Sequence, residues 1–172
     1  MGDIAAHRPR ESGFTLVEIM VVLLVIGISA SLVFANLGGD DRRDLDREAK
    51  RLAGALEHAA AVAQWQSETL GVSADGAGYR FWRRDAAGLW TAFSGDDVLA
   101  ARALPAGMTV VPARYAGAPV APDAILTLRA SGRNEPYELL LASAGGRVVI
   151  AGDPLSRVAF RRADDAAAMF AH

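Results

Sequence analysis

One long apolar segment near the N-terminus constrains this chain more than any other feature. From Phe14 to Leu37 the only formal charge is Glu18, and residues 19–28 form an unbroken apolar run that contains a single glycine. A helix of about 20 apolar residues crosses a hydrocarbon core roughly 30 Å thick. The segment therefore predicts a membrane helix, in which Glu18 is the residue that needs an explanation.

The charges on either side of this segment predict its orientation. Arg8 and Arg10 precede it and Asp40 and Asp41 follow it, and basic residues mark the cytoplasmic side of a membrane helix. Most of the 172 residues would then lie outside the cytoplasm, in a length that suits one compact domain. The net charge of −2 gives no bulk attraction for nucleic acid, and the lack of cysteine excludes disulfides, thiolate metal sites and a lipid-modified cysteine.

Hydropathy leaves three interpretations of the segment open. It could be an ordinary signal peptide cleaved after Ala35, where small residues precede the cut, or a plain signal anchor. In the third interpretation, residues 13–18 form a processing site at the front of the span. A carboxylate in a membrane helix costs about 2.5–3.5 kcal/mol on insertion scales and usually has a partner and a function, so Glu18 favours the third interpretation.

Cleavage between Gly13 and Phe14 would create a partner for Glu18. The new α-amino group has an ordinary pKa of about 7.7–8.0, and it would lie about one helical turn before the carboxylate. When such helices pack side by side with a stagger, Glu18 of one subunit can meet the amine of its neighbour. A misplaced subunit would leave an uncompensated charge in apolar surroundings, so Glu18 is predicted to set the register of assembly.

The stretch Gly-Phe-Thr-Leu-Val-Glu at residues 13–18, followed by the apolar run, resembles the leader junction of the type IV pilin-like superfamily. This superfamily includes type IV pilins and type II secretion pseudopilins, which share a prepilin-type N-terminal methylation motif. The resemblance implies that a prepilin peptidase cuts after Gly13 and N-methylates Phe14. It also implies that Glu18 is the assembly carboxylate.

Beyond the span, an apolar stripe predicts a soluble amphipathic helix over residues 38–71. Asp40 and Asp41 are candidate N-caps of a restarted helix, and Gly71 is a candidate C-terminal stop. The stripe is expected to pack on a sheet. Its members, at alternating spacings of four and three, are Leu45, Ala49, Leu52, Leu56, Ala59 and Ala63.

The remaining residues, 72–172, have the pattern of a β-rich domain. Short apolar segments alternate with turn residues and predict six to eight strands, whereas residues 112–122, with three prolines, are expected to form an exposed loop. One helix followed by several strands indicates an α+β fold with antiparallel sheets. The predicted strands are residues 70–72, 79–81, 89–93, 108–111, 125–128, 137–142, 147–150 and 157–160.

Within the superfamily, the strand region is similar to the GspH-type minor pseudopilins of the type II secretion system. The similarity rests on the order of three stretches: Gly-Tyr-Arg-Phe-Trp at 78–82, Leu-Pro-Ala-Gly at 104–107 and the segment 131–139. It implies a pilin-like α+β fold, in which a long N-terminal helix, membrane-spanning in its first half, packs on antiparallel sheets. The implied organisation is a leader at 1–13, the membrane and assembly half of the helix at 14–37, the soluble helix and the β-rich domain.

The same resemblance implies a role, a location and partners. The chain would be a structural subunit near the tip of the pseudopilus, which takes part in export of folded proteins across the outer membrane. It would be a single-pass protein of the bacterial inner membrane, with a cytoplasmic N-terminus and a periplasmic domain, and would join the pseudopilus on assembly. Its partners would be the prepilin peptidase, other major and minor pseudopilins, the inner-membrane assembly platform and, as further candidates, exported proteins.

The residues that could carry catalysis or bind a metal form no recognisable site. His7, His58 and His172 are too far apart in sequence to provide metal-ligand spacing on one element, and no G-x-S-x-G elbow is present. The acidic pairs at 40–41, 96–97 and 164–165 lack the alternating spacing of a calcium loop and are interpreted as caps and turns. The sequence therefore predicts no enzyme activity and no cofactor.

Two further clusters have competing interpretations. Trp65, Trp82 and Trp90 could stack on a ligand, but their spacing favours a position at the helix–sheet interface. Arg157, Arg161 and Arg162 could hold DNA, although Asp153, Asp164 and Asp165 dilute their charge.

Two alternative functions stay open for the chain as a whole. One is a minor pilin of a type IV pilus, including DNA-uptake pili. The other is a soluble periplasmic binding domain that begins at Asn36 after removal of an ordinary signal peptide.

Overall fold

The computed structural model describes the backbone of residues 16–163 and the side chains of residues 16–29 and 40–163. The chain divides into two compact units, residues 1–37 and 38–172, and each is described separately below. One helix, α1, spans Leu16–Gln66. Ten strands follow in the described part: β1 Thr69–Ala74, β2 Gly78–Arg84, β3 Trp90–Ala92, β4 Arg102–Ala103, β5 Thr109–Tyr115, β6 Ala118–Pro119, β7 Leu126–Leu128, β8 Tyr137–Ser143, β9 Gly146–Gly152 and β10 Val158–Arg162.

The helix does not restart at Asp40 or Asp41, so the prediction of N-caps at these residues is wrong. The backbone of α1 is helical through Gly38 and Gly39. Glycine costs about 1 kcal/mol relative to alanine in a helix interior, but it keeps its N–H and adds no clash, so it weakens a helix without ending it. Among the described residues, no helix combines the length and the hydropathy of a membrane span.

The helix ends at Gln66, and the predicted stop at Gly71 is wrong. Ser67 adopts a positive φ of 55°, and the N–H of Glu68 donates to the carbonyl of Ala63 at 3.0 Å. A left-handed residue followed by this hydrogen bond is a Schellman cap, here built on serine instead of glycine. Gly71 lies in β1, where a Cβ would be 2.5 Å from Cγ2 of Ile125. Glycine at position 71 is therefore required by packing across the sheet.

The strands form two antiparallel five-stranded sheets. The first sheet has the order β3-β2-β1-β7, and β4 pairs with β2 beside β3. The second sheet has the order β10-β9-β8-β5-β6. Its centre is the β8–β9 hairpin, in which Tyr137 lies opposite Gly152 and Ser143 lies opposite Gly146.

The part of α1 from Leu45 to Ala63 and both sheets share one hydrophobic core. Every residue of the predicted apolar stripe is 0–1% exposed, which confirms the helical periodicity as the signal for burial. In the first sheet Leu70, Val72 and Phe81 belong to the same core, and in the second sheet Leu139, Leu141 and Ile150 do. A single amphipathic helix thus organises two sheets around its buried face.

The predicted loop at residues 112–122 is only partly a loop. Residues up to Tyr115 belong to β5, and Pro112 is buried opposite Leu139 of β8. The register of β5 shifts between Pro112 and Arg114, which marks a bulge, and β6 pairs with β5 only at residues 114–115. Proline lacks the N–H of a ladder hydrogen bond but is tolerated at a bulge, so its presence did not exclude a strand.

Candidate assembly segment and binding surfaces

The described N-terminal part of α1 exposes apolar side chains on all its faces. The exposed fraction is 77% at Leu16, 52% at Val21 and 55% at Ile28, and each of residues 16–29 is exposed. Glu18 lies in the first turn of the helix, is itself exposed, and is the one acidic or basic residue in this stretch. A helix that is apolar on every side requires an apolar environment, which a bilayer or neighbouring helices can supply.

The structure covers only part of the predicted processing and assembly site. Gly13 and Phe14 lie outside the described residues, as do His7, His172, Asp164 and Asp165. Cleavage, methylation and the register role of Glu18 therefore stay predictions.

A buried carboxylate joins α1 to the first sheet. Glu48 is 7% exposed and accepts two hydrogen bonds from Arg102 of β4, at 3.0 Å from Nε and 2.5 Å from Nη2. The hydrogen bond to Glu48 raises the pKa of Arg102 above its ordinary value. Burial raises the pKa of Tyr79, which is 5% exposed, so its phenol stays neutral. This bidentate pair fixes the distance between helix and strand.

A second carboxylate of α1 contacts the second sheet. Oδ2 of Asp46 accepts a hydrogen bond from Arg162 of β10 at 2.7 Å. This hydrogen bond joins α1 to the edge strand of the second sheet.

The arginines considered as a DNA-binding cluster all form ion pairs with carboxylates. Arg157 pairs with Asp153 at 3.0 Å, Arg161 lies 3.7 Å from Glu138, and Arg162 binds Asp46. Each guanidinium is balanced by a nearby acid, so the three do not form an unbalanced basic surface. No observation in the described region favours nucleic acid as a partner.

His58 connects α1 to the loop before β4. Its Nε2 lies 2.7 Å from Oδ2 of Asp96, and Oδ1 of Asp96 accepts from the N–H of Val98 at 2.8 Å. The hydrogen bond with His58 lowers the pKa of Asp96. Asp96 thus caps the turn that leads to Leu99, which is fully buried in the core. Across the described residues, no group of three or more histidine or acidic side chains could hold a metal ion.

The three tryptophans do not lie at the helix–sheet interface, so that prediction is wrong. Trp65 is on α1 and is 94% exposed. Along β2 the side chains of Tyr79 and Phe81 enter the core, so Trp82 points to the outer face, because neighbouring residues of a strand alternate. Trp90 packs over Gly71 on the same outer face. Spacing in the sequence could not decide which face of the sheet the aromatic residues occupy.

Sequence reasoning missed the structural role of Asn134. This residue is 5% exposed, its side-chain oxygen accepts from the N–H of Arg129 at 2.6 Å, and its amide donates to Ser156 at 2.8 Å. It thereby joins the loop after β7 to the turn between β9 and β10. An asparagine flanked by glycine and proline was the available signal, but such a pattern is also typical of an exposed turn.

Comparison with known structures places the fold in the pilin-like class. The minor pseudopilin EpsH from the type II secretion system of Vibrio cholerae superposes with a TM-score of 0.58 at 15% identity, over 69% of this chain and 96% of that one. The solution structure of GspH from Escherichia coli gives a TM-score of 0.52 at 19% identity, over 73% of this chain and 94% of that one. The predicted α+β pilin-like fold is confirmed.

Sequence comparisons then give the particular relative. The family described as the prokaryotic N-terminal methylation motif matches residues 8–34. The chain is 33% identical to type II secretion system protein H of Aeromonas hydrophila over 101 residues. The matched region covers 58% of this chain and 55% of that protein. The chain thus spans about half the length of this curated relative. The resemblance to GspH-type minor pseudopilins is confirmed, and none of these relatives is named as an enzyme.

Proposed function

We propose that this chain is a minor pseudopilin, a non-enzymatic structural subunit near the tip of a type II secretion pseudopilus. In this role it takes part in the export of folded proteins across the outer membrane. Its partners are the other major and minor pseudopilins and the inner-membrane assembly platform, with exported proteins as further candidates.

One observation carries this proposal: an exposed apolar helix with a single carboxylate is joined to a folded domain of the pseudopilin H type. The exposed side chains of residues 16–28 would be unfavourable in water. Such a segment has a use in a protein that moves from a bilayer into a helical bundle. The similarity to protein H and the methylation-motif match over residues 8–34 support the same function.

Processing is the first step of the proposed function. The prepilin peptidase cuts after Gly13 on the cytoplasmic side and N-methylates Phe14. Residues 14–37 then hold the subunit in the inner membrane as a single span, with the folded domain in the periplasm. Arg8 and Arg10 before the span support this orientation.

Glu18 sets the register of the subunit in the fibre. It follows Phe14 by four positions, so the new amine of one subunit and Glu18 of the next can meet when their helices are staggered. An amine with an ordinary pKa of about 7.7–8.0 is largely cationic near neutral pH. Any other register would place both charges against apolar side chains, which costs several kcal/mol per charge.

Substitution of Glu18 tests the proposal. Glu18→Ala should insert in the membrane and be processed normally, but it should be absent from sheared fibres of cells that make the other pseudopilins. Val22→Ala, one turn further along the same exposed segment, should assemble normally. Incorporation of Glu18→Ala at the wild-type level would contradict the register role.

A further inference from the structure

The outer face of the first sheet carries two arginines, each stacked on a tryptophan. Cζ of Arg80 lies 5.5 Å from the ring centroid of Trp82, and Cζ of Arg84 lies 5.7 Å from that of Trp90. Both arginines are exposed and both tryptophans are half-buried. These four residues are here named the Arg–Trp face.

Residues of β1 position both tryptophan rings on this face. Gly71 of β1 lies opposite Trp82 of β2, and a Cβ at position 71 would be 3.0 Å from the ring of Trp90. The indole N–H of Trp82 donates to Ser73 at 2.8 Å, which holds that ring in place. These contacts hold both rings against the sheet, and each guanidinium stacks on a ring that is held in this way.

Neither arginine of this face forms an ion pair within the described part of the chain. Neither Arg80 nor Arg84 lies within 4.0 Å of a carboxylate there, whereas Arg102, Arg157, Arg161 and Arg162 all do. One hydrogen bond, from Nε of Arg84 to the carbonyl of Gly88 at 3.1 Å, leaves most of that guanidinium free. A guanidinium has five N–H donors, and stacking on a ring leaves its edge available to carboxylate oxygens.

A cavity beside Trp82 adds space for a side chain. Its volume is about 410 Å³, and its lining includes Arg80, Trp82, Ser73 and Asp123. Asp75 and Asp123 line the same cavity and oppose the binding of an acid near Arg80. Asp85 follows Arg84 in the turn to β3, where its carboxylate accepts from the N–H of Leu89 at 2.8 Å.

We propose that the Arg–Trp face is a docking surface for an extended, carboxylate-bearing segment of a partner protein. Arg80 and Arg84 are four positions apart on one strand, about 13 Å at 3.3 Å per residue. An extended segment with two acidic side chains four positions apart matches that distance. This surface belongs to the folded domain, so it is independent of whether Glu18 sets the register of a fibre.

The test is a titration of the full-length chain in detergent micelles with two synthetic peptides. One is a short peptide of threonine, serine and valine with two glutamates four positions apart, and the other has glutamines in the same positions. The indole N–H signals of Trp82 and Trp90, followed by NMR, report binding at this face. The glutamate peptide should bind about tenfold more tightly at low salt, and the difference should shrink at high salt.

Variants connect the binding to the two arginines. The difference between the peptides should disappear in Arg80→Gln/Arg84→Gln. Arg147→Gln, an exposed arginine on the second sheet, is the matched control and should bind as the wild type does. Equal binding of both peptides, unchanged binding by the double variant, or no saturation below about 1 mM would each overturn the proposal.

Discussion

At the scale of single residues, Gly152 leaves the space that the ring of Tyr137 occupies in the second sheet. The two residues lie opposite each other on β9 and β8, and a Cβ at position 152 would overlap the phenol ring. Tyr137 is 2% exposed, and burial raises its pKa strongly. The ring has little space to move, because it is enclosed by the core.

Gly152→Ala should therefore destabilise the folded domain by about 1–3 kcal/mol, the usual cost of overpacking a core. Gly54→Ala is the matched control, since Gly54 is exposed on α1 and a Cβ there meets nothing within 4 Å. That control should stabilise the domain by up to about 1 kcal/mol, because alanine favours the helix. Urea unfolding of the full-length chain in micelles measures both, and equal stability of the two variants would contradict the packing argument.

At the scale of elements, α1 is fixed between the sheets by two of its carboxylates. Glu48 binds β4 of the first sheet, and Asp46 binds β10 of the second. Glu48 has the more buried side chain, at 9% exposed against 39% for Asp46. The pair of Glu48 with Arg102 should therefore matter more for stability, because water screens it less.

Glu48→Gln should cost about 1.5–3 kcal/mol of the free energy of unfolding, because it replaces two charge-assisted hydrogen bonds in a buried position. Asp40→Asn removes an exposed ion pair with Arg43 on the same helix and should change the free energy by less than about 0.5 kcal/mol. Thermal unfolding, monitored by circular dichroism, measures the stability of both variants. A Glu48→Gln variant as stable as Asp40→Asn would show that the pair does not hold the helix to β4.

The turn between β9 and β10 depends on the charge of Asp153. Its carboxylate accepts from the N–H of Leu155 at 2.8 Å and from the N–H and Nε of Arg157 at 2.9 and 3.0 Å. The backbone hydrogen bond from Arg157 is the main cause that lowers the pKa of Asp153 below its ordinary value of 3.8. A lowered pKa means that folding favours the ionised form. The stability contributed by this charge is complete above the ordinary pKa and is lost as the pH falls through the lower folded value.

The stability difference between the wild type and Asp153→Ala should consequently depend on pH. The gap between their urea midpoints should be constant from pH 7 to about pH 5 and should narrow below about pH 3.8. Asp123 lies in an exposed loop, so the urea midpoint of Asp123→Ala should differ little from that of the wild type at every pH. A gap for Asp153→Ala that widens on acidification would contradict the sign of the pKa shift.

At the scale of the whole molecule, the sequence predicted the fold where a pattern repeats. The stripe from Leu45 to Ala63 gave the buried face of α1, because helical periodicity reports burial directly. Most strands were found from alternation and turn residues, but their arrangement in two sheets was not, because pairing between distant segments leaves no local pattern. The GspH-type resemblance supplied the architecture that local patterns could not.

The errors concern residues whose structure is determined by distant contacts. Gly71 was interpreted as a helix stop because glycine often ends helices, whereas packing of Trp90 and Ile125 explains it. Pro112 was assigned to a loop because proline disfavours strands, but a bulge accommodates it. The Arg–Trp face was missed because strand register determines which face of the sheet Trp82 and Trp90 occupy. Of the candidate assembly site, only the part that begins at Leu16 can be compared with the structure.

The central claim is that this chain is processed and assembled as a pseudopilin, and the mature N-terminus tests it most directly. Intact-mass and fragment-ion spectrometry of the protein purified from membranes would identify its first residue and any modification. The account predicts a mature chain that begins at N-methylated Phe14. A chain that begins at Asn36, after cleavage by an ordinary signal peptidase, would contradict it.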